Sequence, residues 1–267
     1  MKVAVIGTGK IGELVLSGLL RAGWQPSELL ITARRPGRAA ELTERYGVRA
    51  VDNLTAVAEA EVLAVAVKPQ DAAGLLDEIG AKVPAGKLLI SLCAGLPTRF
   101  FSDRLPEGAP VVRVMTNTPA LVDQAMTAIS AGPHATGEHL RIAEDMFRPL
   151  GSVVRVPESQ QDAVTALSGS GPAYFYLLVE AMIDAGILLG LPRQVAHELI
   201  VQTAIGSAVM LRDSGEHPVK LREAVTSPAG TTISAIRELE NHGVRAALLA
   251  ALEAARDRAR EIAEQSA

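Results

Sequence analysis

The chain has 267 residues, of which 48% are hydrophobic and only 3% aromatic, so its core is expected to be aliphatic. The formal net charge of -4, with acidic and basic residues interspersed, argues against broad nucleic-acid binding, which needs a clustered basic face. The single cysteine, Cys93, excludes an intrachain disulfide and a thiolate-based zinc site. The histidines lack the spacing of a helical metal-ligand pair, so no metal centre is expected.

The first half of the chain alternates short apolar runs with helical patterns. Strands are predicted at Lys2–Ile6, Leu29–Thr32, Val62–Val67, Leu88–Leu92, Val111–Met115, Thr127–Ser130 and Val153–Val156. Helices are predicted at Ile11–Ala22, Arg38–Tyr46, Gln70–Ile79 and Thr98–Leu105. This alternation is typical of an α/β protein with a parallel, doubly wound sheet.

The segment VAVIGTGKIG at Val3–Gly12 places a strand, a glycine-rich turn and a helix in the order of a dinucleotide-binding fingerprint. We expect Gly7 to make the tight turn, Gly9 to let the backbone approach a pyrophosphate, and Gly12 to let the helix pack closely on the sheet. The helix N-terminus would hold the phosphates. The predicted cofactor-binding residues of this loop are Gly7, Thr8, Gly9, Lys10, Ile11 and Gly12.

Two arginines, Arg34 and Arg35, follow the second predicted strand. A fold that prefers NAD carries an acidic residue here, which accepts a hydrogen bond from the ribose 2′-hydroxyl. Guanidinium groups instead suit a 2′-phosphate. The sequence therefore predicts a preference for NADPH, with NADH as the other cofactor. The competing interpretation is that both arginines are solvated charges at the start of a helix.

Further cofactor contacts are expected at the carboxyl ends of later strands, where open α/β sheets bind ligands. Asn53 follows the third strand region and either reaches the adenosine end or is an ordinary turn residue. Lys68 faces either the cofactor ribose or phosphate, or water. Cys93 is interpreted as a small residue that leaves space for a nicotinamide, not as a nucleophile. The predicted cofactor-binding residues at the ends of the strands Val62–Val67 and Leu88–Leu92 are Ala66, Val67, Lys68, Pro69, Cys93, Ala94 and Gly95.

No strand pattern follows Val156. Helices are predicted at Ser159–Leu167, Pro172–Leu191, Arg193–Asp213, Val219–Val225, Thr232–Asn241 and Val244–Gln265. The chain is therefore predicted to form a Rossmann-like dinucleotide-binding domain at residues 1–157 and an all-helical domain at residues 158–267.

The predicted helix Pro172–Leu191 is apolar on nearly all sides and needs cover all round. Glu180 and Asp184 argue against a membrane span, and Gly7 interrupts the N-terminal apolar run before it could act as a signal peptide. We therefore expect a soluble, cytoplasmic protein with this helix buried. A second subunit in an intertwined helical dimer is the favoured cover, and the N-terminal domain is the alternative.

Several motifs in a fixed order resemble those of the pyrroline-5-carboxylate reductase family. They are GTGKIG at residues 7–12, AVKP at Ala66–Pro69, MTNTPALV at Met115–Val122, ALSGSGPAYFY at Ala166–Tyr176, GLP at Gly190–Pro192 and VTSPAGTT at Val225–Thr232. The resemblance implies that L-1-pyrroline-5-carboxylate is reduced to L-proline by a reduced nicotinamide cofactor, the last step of proline biosynthesis. It also implies that residues 158–267 bind the substrate and form homodimers, often five per particle.

The resemblance further implies which residues bind the substrate. Ala229, Gly230, Thr231 and Thr232 would bind its carboxylate, and Thr232 would contact the ring nitrogen as the catalytic residue. Glu158 would lie at the substrate site.

Three positions depart from the family pattern. Thr116 stands where proline is usual, and Ala224 stands where some members carry a cofactor-contacting asparagine. Ala229 replaces a glycine and would be strained if that position needs a positive φ.

Three other functions remain as alternatives. A cyclic imine or ketimine reductase would share the fingerprint and differ in the pocket. A β-hydroxyacid dehydrogenase is disfavoured because Lys220, the only lysine after Lys87, lacks the expected small-residue helix context. A cofactor-sensing protein without catalysis is disfavoured by the intact SPAGTT loop.

Overall fold

The computed structural model describes residues 1–266, so Ala267, the last residue of the predicted helical domain, lies outside the described residues. The strands are β1 Val3–Ile6, β2 Leu29–Thr32, β3 Arg49–Ala50, β4 Val62–Val65, β5 Leu88–Ser91, β6 Val111–Met115, β7 Ala125–Ala131 and β8 Gly151–Arg155. The helices are α1 Lys10–Arg21, α2 Pro36–Tyr46, α3 Asn53–Glu59, α4 Pro69–Ile79, α5 Thr98–Ser102, α6 Gly137–Phe147, α7 Gln161–Val164, α8 Gly171–Leu188, α9 Arg193–Asp213, α10 Pro218–Ala224, α11 Thr231–Asn241 and α12 Val244–Ser266.

The eight strands form one sheet in the order β3-β2-β1-β4-β5-β6-β7-β8. The first six are parallel, as predicted, but β7 is antiparallel to β6 and parallel to β8, so the expectation of an all-parallel sheet is wrong for the last two strands. The connection from β6 to β7 contains only a short 3-10 turn, Thr118–Val122. A parallel partner would need a crossover helix there.

Alternate residues of β1 face two aliphatic layers, as expected for a sheet covered on both faces. Val3 and Val5 pack with side chains of α1 and α6. Ala4 and Ile6 pack with side chains of α3, α4 and α5. The doubly wound α/β architecture is therefore confirmed.

Three short elements were not predicted: β3, α3 and α6. Conversely, the helix predicted at Ser159–Leu167 is broken into three kinds of turn. A 3-10 turn, Glu158–Gln160, precedes α7, and a π-helical turn, Thr165–Gly169, follows it. Hydrophobic spacing alone does not distinguish these turns from a regular helix.

The chain forms two compact units, residues 1–170 with 254–266, and Gly171–Glu253. In the second unit α8 and α9 approach closely at Gly186, which has no side chain. A Cβ added there would lie 2.9 Å from the Cβ of Ala196. How cofactor and substrate binding divide between 1–157 and 158–267 stays a prediction.

Helix α8 is largely exposed in the single chain, which agrees with the favoured prediction that a second subunit supplies most of its cover. Phe175, Tyr176 and Leu177 are each about two-thirds exposed, and only Gly171 and Ile183 are buried. The apolar segment Glu158–Leu188 is also long enough to cross a membrane, a test that core helices of soluble proteins pass as well.

Ala229 has a φ of 56°, the left-handed conformation in which its Cβ is strained. It stands two positions before α11, and the following residue, Gly230, is the N-cap. The strain expected for an alanine at this position is therefore present.

Replacing Ala229 with glycine should raise the free energy of unfolding by about 0.5–1 kcal/mol, because relief of left-handed strain exceeds the added entropy of the unfolded chain. Ala208→Gly, an exposed position inside α9, is the matched control and should lower it by about 0.5–1 kcal/mol. Urea unfolding at equal protein concentration measures both. Destabilisation by both changes would contradict strain at Ala229.

Candidate active site

A cavity of about 880 Å³ opens at the carboxyl ends of β1, β2 and β4. The strand order reverses here, because β1 pairs with β2 on one side and with β4 on the other. This is the switch point at which open α/β sheets bind ligands. Of the predicted cofactor residues, the cavity is lined by Gly7, Thr8, Gly9, Arg34, Arg35, Asn53, Ala66, Val67 and Lys68.

Gly7 turns the chain sharply out of β1. Its φ is 89°, and a Cβ there would lie 2.6 Å from Cγ1 of Val67. The backbone N–H groups of Gly7 and Thr8 donate to the carbonyl oxygen of Thr32 at 3.3 and 3.1 Å. The Thr8 hydroxyl donates to the same oxygen at 2.9 Å. The turn is therefore attached to the end of β2.

The N-terminus of α1 suits a pyrophosphate. Gly9 is the N-cap, and no side chain caps the first turn. A Cβ on Gly9 would meet nothing within 4 Å, whereas one on Gly12 would lie 2.4 Å from the carbonyl oxygen of Gly7. Open space thus lies beside helix N–H groups that lack intrahelical partners, which fits the phosphates of a dinucleotide.

Arg34 and Arg35 both line the cavity, as expected. The Arg34 side chain is 81% exposed, and its Nη1 lies 3.2 Å from Oδ1 of Asp71. Arg35 makes no side-chain hydrogen bond or ion pair within residues 1–266. Asp71, in the first turn of α4 and three residues after Lys68, also lines the cavity and was not predicted.

A third arginine, Arg38, lines the same cavity and was not predicted. Its Nε lies 3.4 Å from the carbonyl oxygen of Thr8, and its Nη1 donates to Glu41 at 2.7 Å. A further ion pair joins it to Glu13 on α1. It lies in the first turn of α2, three residues after the N-cap Arg35, and this nearness to the predicted arginines is the sequence signal that could have identified it.

Glu13 connects α1 to α2 beside the cavity. Partial burial would raise the pKa of Glu13, but hydrogen bonds from Arg38 and Tyr46 hold it below its usual value. The Tyr46 hydroxyl donates to it at 3.0 Å. The carboxylate therefore stays ionised and holds Arg38 in place.

The side of the cavity next to the start of α3 carries additional acidic groups. Asn53 donates from Nδ2 to Oε2 of Glu78 at 2.8 Å, and Asp52 caps α3 through the backbone N–H of Thr55 at 2.7 Å. Asp52 and Glu78 line the cavity and were not predicted.

Part of the predicted cofactor set does not line this cavity: Lys10, Ile11, Gly12, Pro69, Cys93, Ala94 and Gly95. Cys93 is 3% exposed, and its Sγ lies 3.4 Å from the carbonyl oxygen of Val67. Burial raises the pKa of the Cys93 thiol to about 11, so it is a thiol at neutral pH, consistent with a non-nucleophilic role.

Glu158 contacts the start of α5. Its Oε1 accepts the backbone N–H of Thr98 at 2.6 Å, and its Oε2 accepts the Thr98 hydroxyl at 2.7 Å. The buried Arg113 lies 3.6 Å from Oε1. The Glu158 side chain is nevertheless 28% exposed, which leaves part of the carboxylate open.

In the helical unit, the predicted substrate residues Ala229, Gly230, Thr231 and Thr232 are contiguous at the start of α11. Gly230 caps this helix without a side-chain hydrogen bond. A Cβ on Gly230 would lie 2.3 Å from Oγ of Ser227 and 3.2 Å from its carbonyl oxygen, so a larger residue here would displace the Ser227 side chain. Thr231 and Thr232 begin a helix whose first N–H groups lack intrahelical acceptors, which suits a small anion.

Two family models match the chain. Residues 158–262 match the model described as pyrroline-5-carboxylate reductase dimerisation. Residues 2–95 match that of coenzyme F420-dependent NADP oxidoreductases.

Individual relatives match over almost the full length. The pyrroline-5-carboxylate reductase of Mycobacterium tuberculosis is 43% identical and covers 98% of this chain and 96% of its own. That of Methanosarcina acetivorans is 40% identical over 99% of this chain and 98% of its own. The helical region is therefore a homo-oligomerisation domain, and the sheet unit is a pyridine-nucleotide-binding fold.

Solved structures agree. A pyrroline-5-carboxylate reductase from Coxiella burnetii has a TM-score of 0.89 at 34% identity and covers 98% of each chain. The Plasmodium falciparum enzyme, solved with NADP bound, has a TM-score of 0.88 at 27% identity, also over 98% of each chain. The chain belongs to the pyrroline-5-carboxylate reductase family.

Proposed function

We propose that this protein reduces L-1-pyrroline-5-carboxylate to L-proline with NAD(P)H, the last step of proline biosynthesis. The observation that carries the proposal is the relationship to reductases of this name over 98% of the chain, at 43% identity in one of them. The cavity at the sheet edge and the uncapped start of α11 support the proposal as candidate sites for the cofactor and for the substrate carboxylate.

The cofactor supplies the hydride when it is bound. The turn at residues 7–9 and the N-terminus of α1 would hold its phosphates, and Asn53 would lie near its adenosine. At the carboxyl ends of β4 and β5, Ala66–Pro69 and Cys93–Gly95 would border its ribose and nicotinamide. Lys10, Ile11 and Gly12 would contribute through the first turn of the helix.

The preference for NADPH is supported by three arginines at one cavity. The Arg35 side chain has no hydrogen-bond or ion-pair partner within residues 1–266, and Arg38 is held beside Thr8 by acidic neighbours. Arg34 is paired with Asp71, but the pair is exposed and therefore readily rearranged. A 2′-phosphate would gain charge-assisted hydrogen bonds that a ribose hydroxyl cannot match. NADH would bind the same cavity more weakly.

The substrate is an electrophilic imine, so the chain mainly has to bind and orient it. The N–H groups at Gly230–Thr232 would bind the carboxylate, and the Thr232 hydroxyl would hydrogen-bond the ring nitrogen. The main role of Thr232 would be to orient the substrate ring. Relaying a proton would be its secondary role, because a hydroxyl is a weak acid. Glu158 would border the substrate with the exposed part of its carboxylate.

A spectrophotometric assay of NADPH oxidation tests the function, with pyrroline-5-carboxylate and its six-membered homologue compared side by side. Faster turnover of the five-membered ring supports the proposal. Preference for the six-membered ring would favour a cyclic ketimine reductase, and cofactor binding without turnover of either would favour a sensing protein.

Replacing Arg34 and Arg35 with serine should raise the KM for NADPH about tenfold while changing that for NADH little, because only the phosphate contacts are lost. Arg148→Ser, an exposed arginine of the same unit that does not line the cavity, is the control and should leave both values unchanged. Equal loss with both cofactors would contradict 2′-phosphate recognition.

Thr232→Ala should lower kcat about 10²–10³-fold, the usual effect of removing one hydrogen bond to the reacting group. Thr232→Ser keeps the hydroxyl and should restore most of the rate. Steady-state kinetics with both variants measure this. Undiminished turnover by the alanine variant would remove Thr232 from the mechanism.

We also propose that the chain is cytoplasmic and forms homodimers through its helical domain, with five dimers as the larger assembly. The exposed apolar side chains of α8 support the homodimer, since a second copy of the chain would cover them. Sedimentation at micromolar concentration should show a dimer or a multiple of it. A monomer would overturn the proposed assembly.

A further inference from the structure

Arg113 is an arginine buried inside the sheet unit. It lies on β6 and is only 6% exposed. Its Nη1 lies 3.6 Å from Oε1 of Glu158, and its Nη2 lies 3.5 Å from Oδ1 of Asp162. A charge at this depth is stable only when it is paired, so the two carboxylates and the guanidinium constrain one another.

Glu158 transmits this constraint to Thr98. Both carboxylate oxygens accept hydrogen bonds from Thr98, one from the backbone N–H at 2.6 Å and one from the hydroxyl at 2.7 Å. Thr98 is 1% exposed. On its other side the backbone of Gly132 packs closely against it, since a Cβ added to Gly132 would lie 3.0 Å from the Cβ of Thr98.

Thr98 ends the loop that follows β5. Between it and Gly95 stand only Leu96, which is fully buried, and Pro97, the N-cap of α5. The loop's other end is held by Cys93, which donates from its backbone N–H to Ser91 at 3.3 Å and from Sγ to the Val67 carbonyl. The segment Cys93–Gly95 is therefore fixed at both ends.

We propose that Arg113 is a positioning residue for hydride transfer, acting through Glu158 and Thr98 on the loop Cys93–Gly95. The inference rests on the proposed function, which places this loop beside the nicotinamide. Glu158 then contributes mainly by capping α5 and holding the loop. Displacing a reacting group by about 1 Å can reduce a rate about a hundredfold.

Thr98→Val tests the inference because it removes the hydroxyl that donates to Glu158 and keeps the backbone N–H. Valine has nearly the same volume as threonine. Thr98→Ser keeps both donors and is the matched control. The first measurement is hydrogen–deuterium exchange of residues 92–98 in the cofactor-free protein. Exchange should rise at least several-fold in the valine variant and stay near wild type in the serine variant.

The second measurement is kinetic. In Thr98→Val, kcat should fall about tenfold or more with nearly unchanged KM values. The deuterium isotope effect on kcat with C4-deuterated NADPH should rise, because hydride transfer becomes more rate-limiting. Arg113→Lys should show the same pattern, since one ammonium group cannot bridge two carboxylates as a guanidinium does.

The outcomes separate the inference from the function on which it rests. Wild-type protein that does not reduce pyrroline-5-carboxylate would overturn the proposed function. Wild-type turnover together with unchanged kcat, isotope effect and loop exchange in Thr98→Val and Arg113→Lys would overturn the inference alone. A lower unfolding temperature without those changes would also overturn it, because Arg113 would then serve stability only.

Discussion

The carbonyl oxygen of Thr32 is the point on which the candidate cofactor site depends. It accepts hydrogen bonds from the backbone N–H groups of Gly7 and Thr8 and from the Thr8 hydroxyl. These bonds join the end of β2 to the turn after β1, which fixes where α1 begins. The same strand end leads into Arg34 and Arg35, so one acceptor sets both the position of the α1 N-terminus and the cationic side of the cavity.

The electrostatic character of that cavity is mixed rather than uniformly positive. Its cationic side chains are Arg34, Arg35, Arg38 and Lys68, and its acidic ones are Asp52, Asp71 and Glu78. The acids are placed to hold particular groups, such as Asn53 by Glu78. Among the described residues the side chains of Arg35 and Lys68 have no ion-pair partner, so unbalanced positive charge lies at the turn after β2 and at the end of β4.

The sequence predicted the elements whose signals are local. The glycine turn, the apolar strands and the long helices all have strong periodicity, and seven strands lie where they were expected. The reversal of β7 and the role of Arg38 were missed because each depends on partners that are distant in sequence. Glu13, which holds Arg38, is on another helix. For α8 the sequence predicted that the helix needs cover on all sides, but hydrophobicity alone left two candidates for that cover, a second subunit and the N-terminal domain.

The buried state of Cys93 has a chemical consequence. With a pKa of about 11 the sulfur is almost entirely protonated at neutral pH, and only thiolates react readily with peroxides, alkylating agents or disulfides. The one sulfhydryl of the chain therefore resists oxidation although it belongs to the loop proposed to border a redox cofactor. Changes in cellular peroxide or glutathione should leave this part of the protein chemically unaltered.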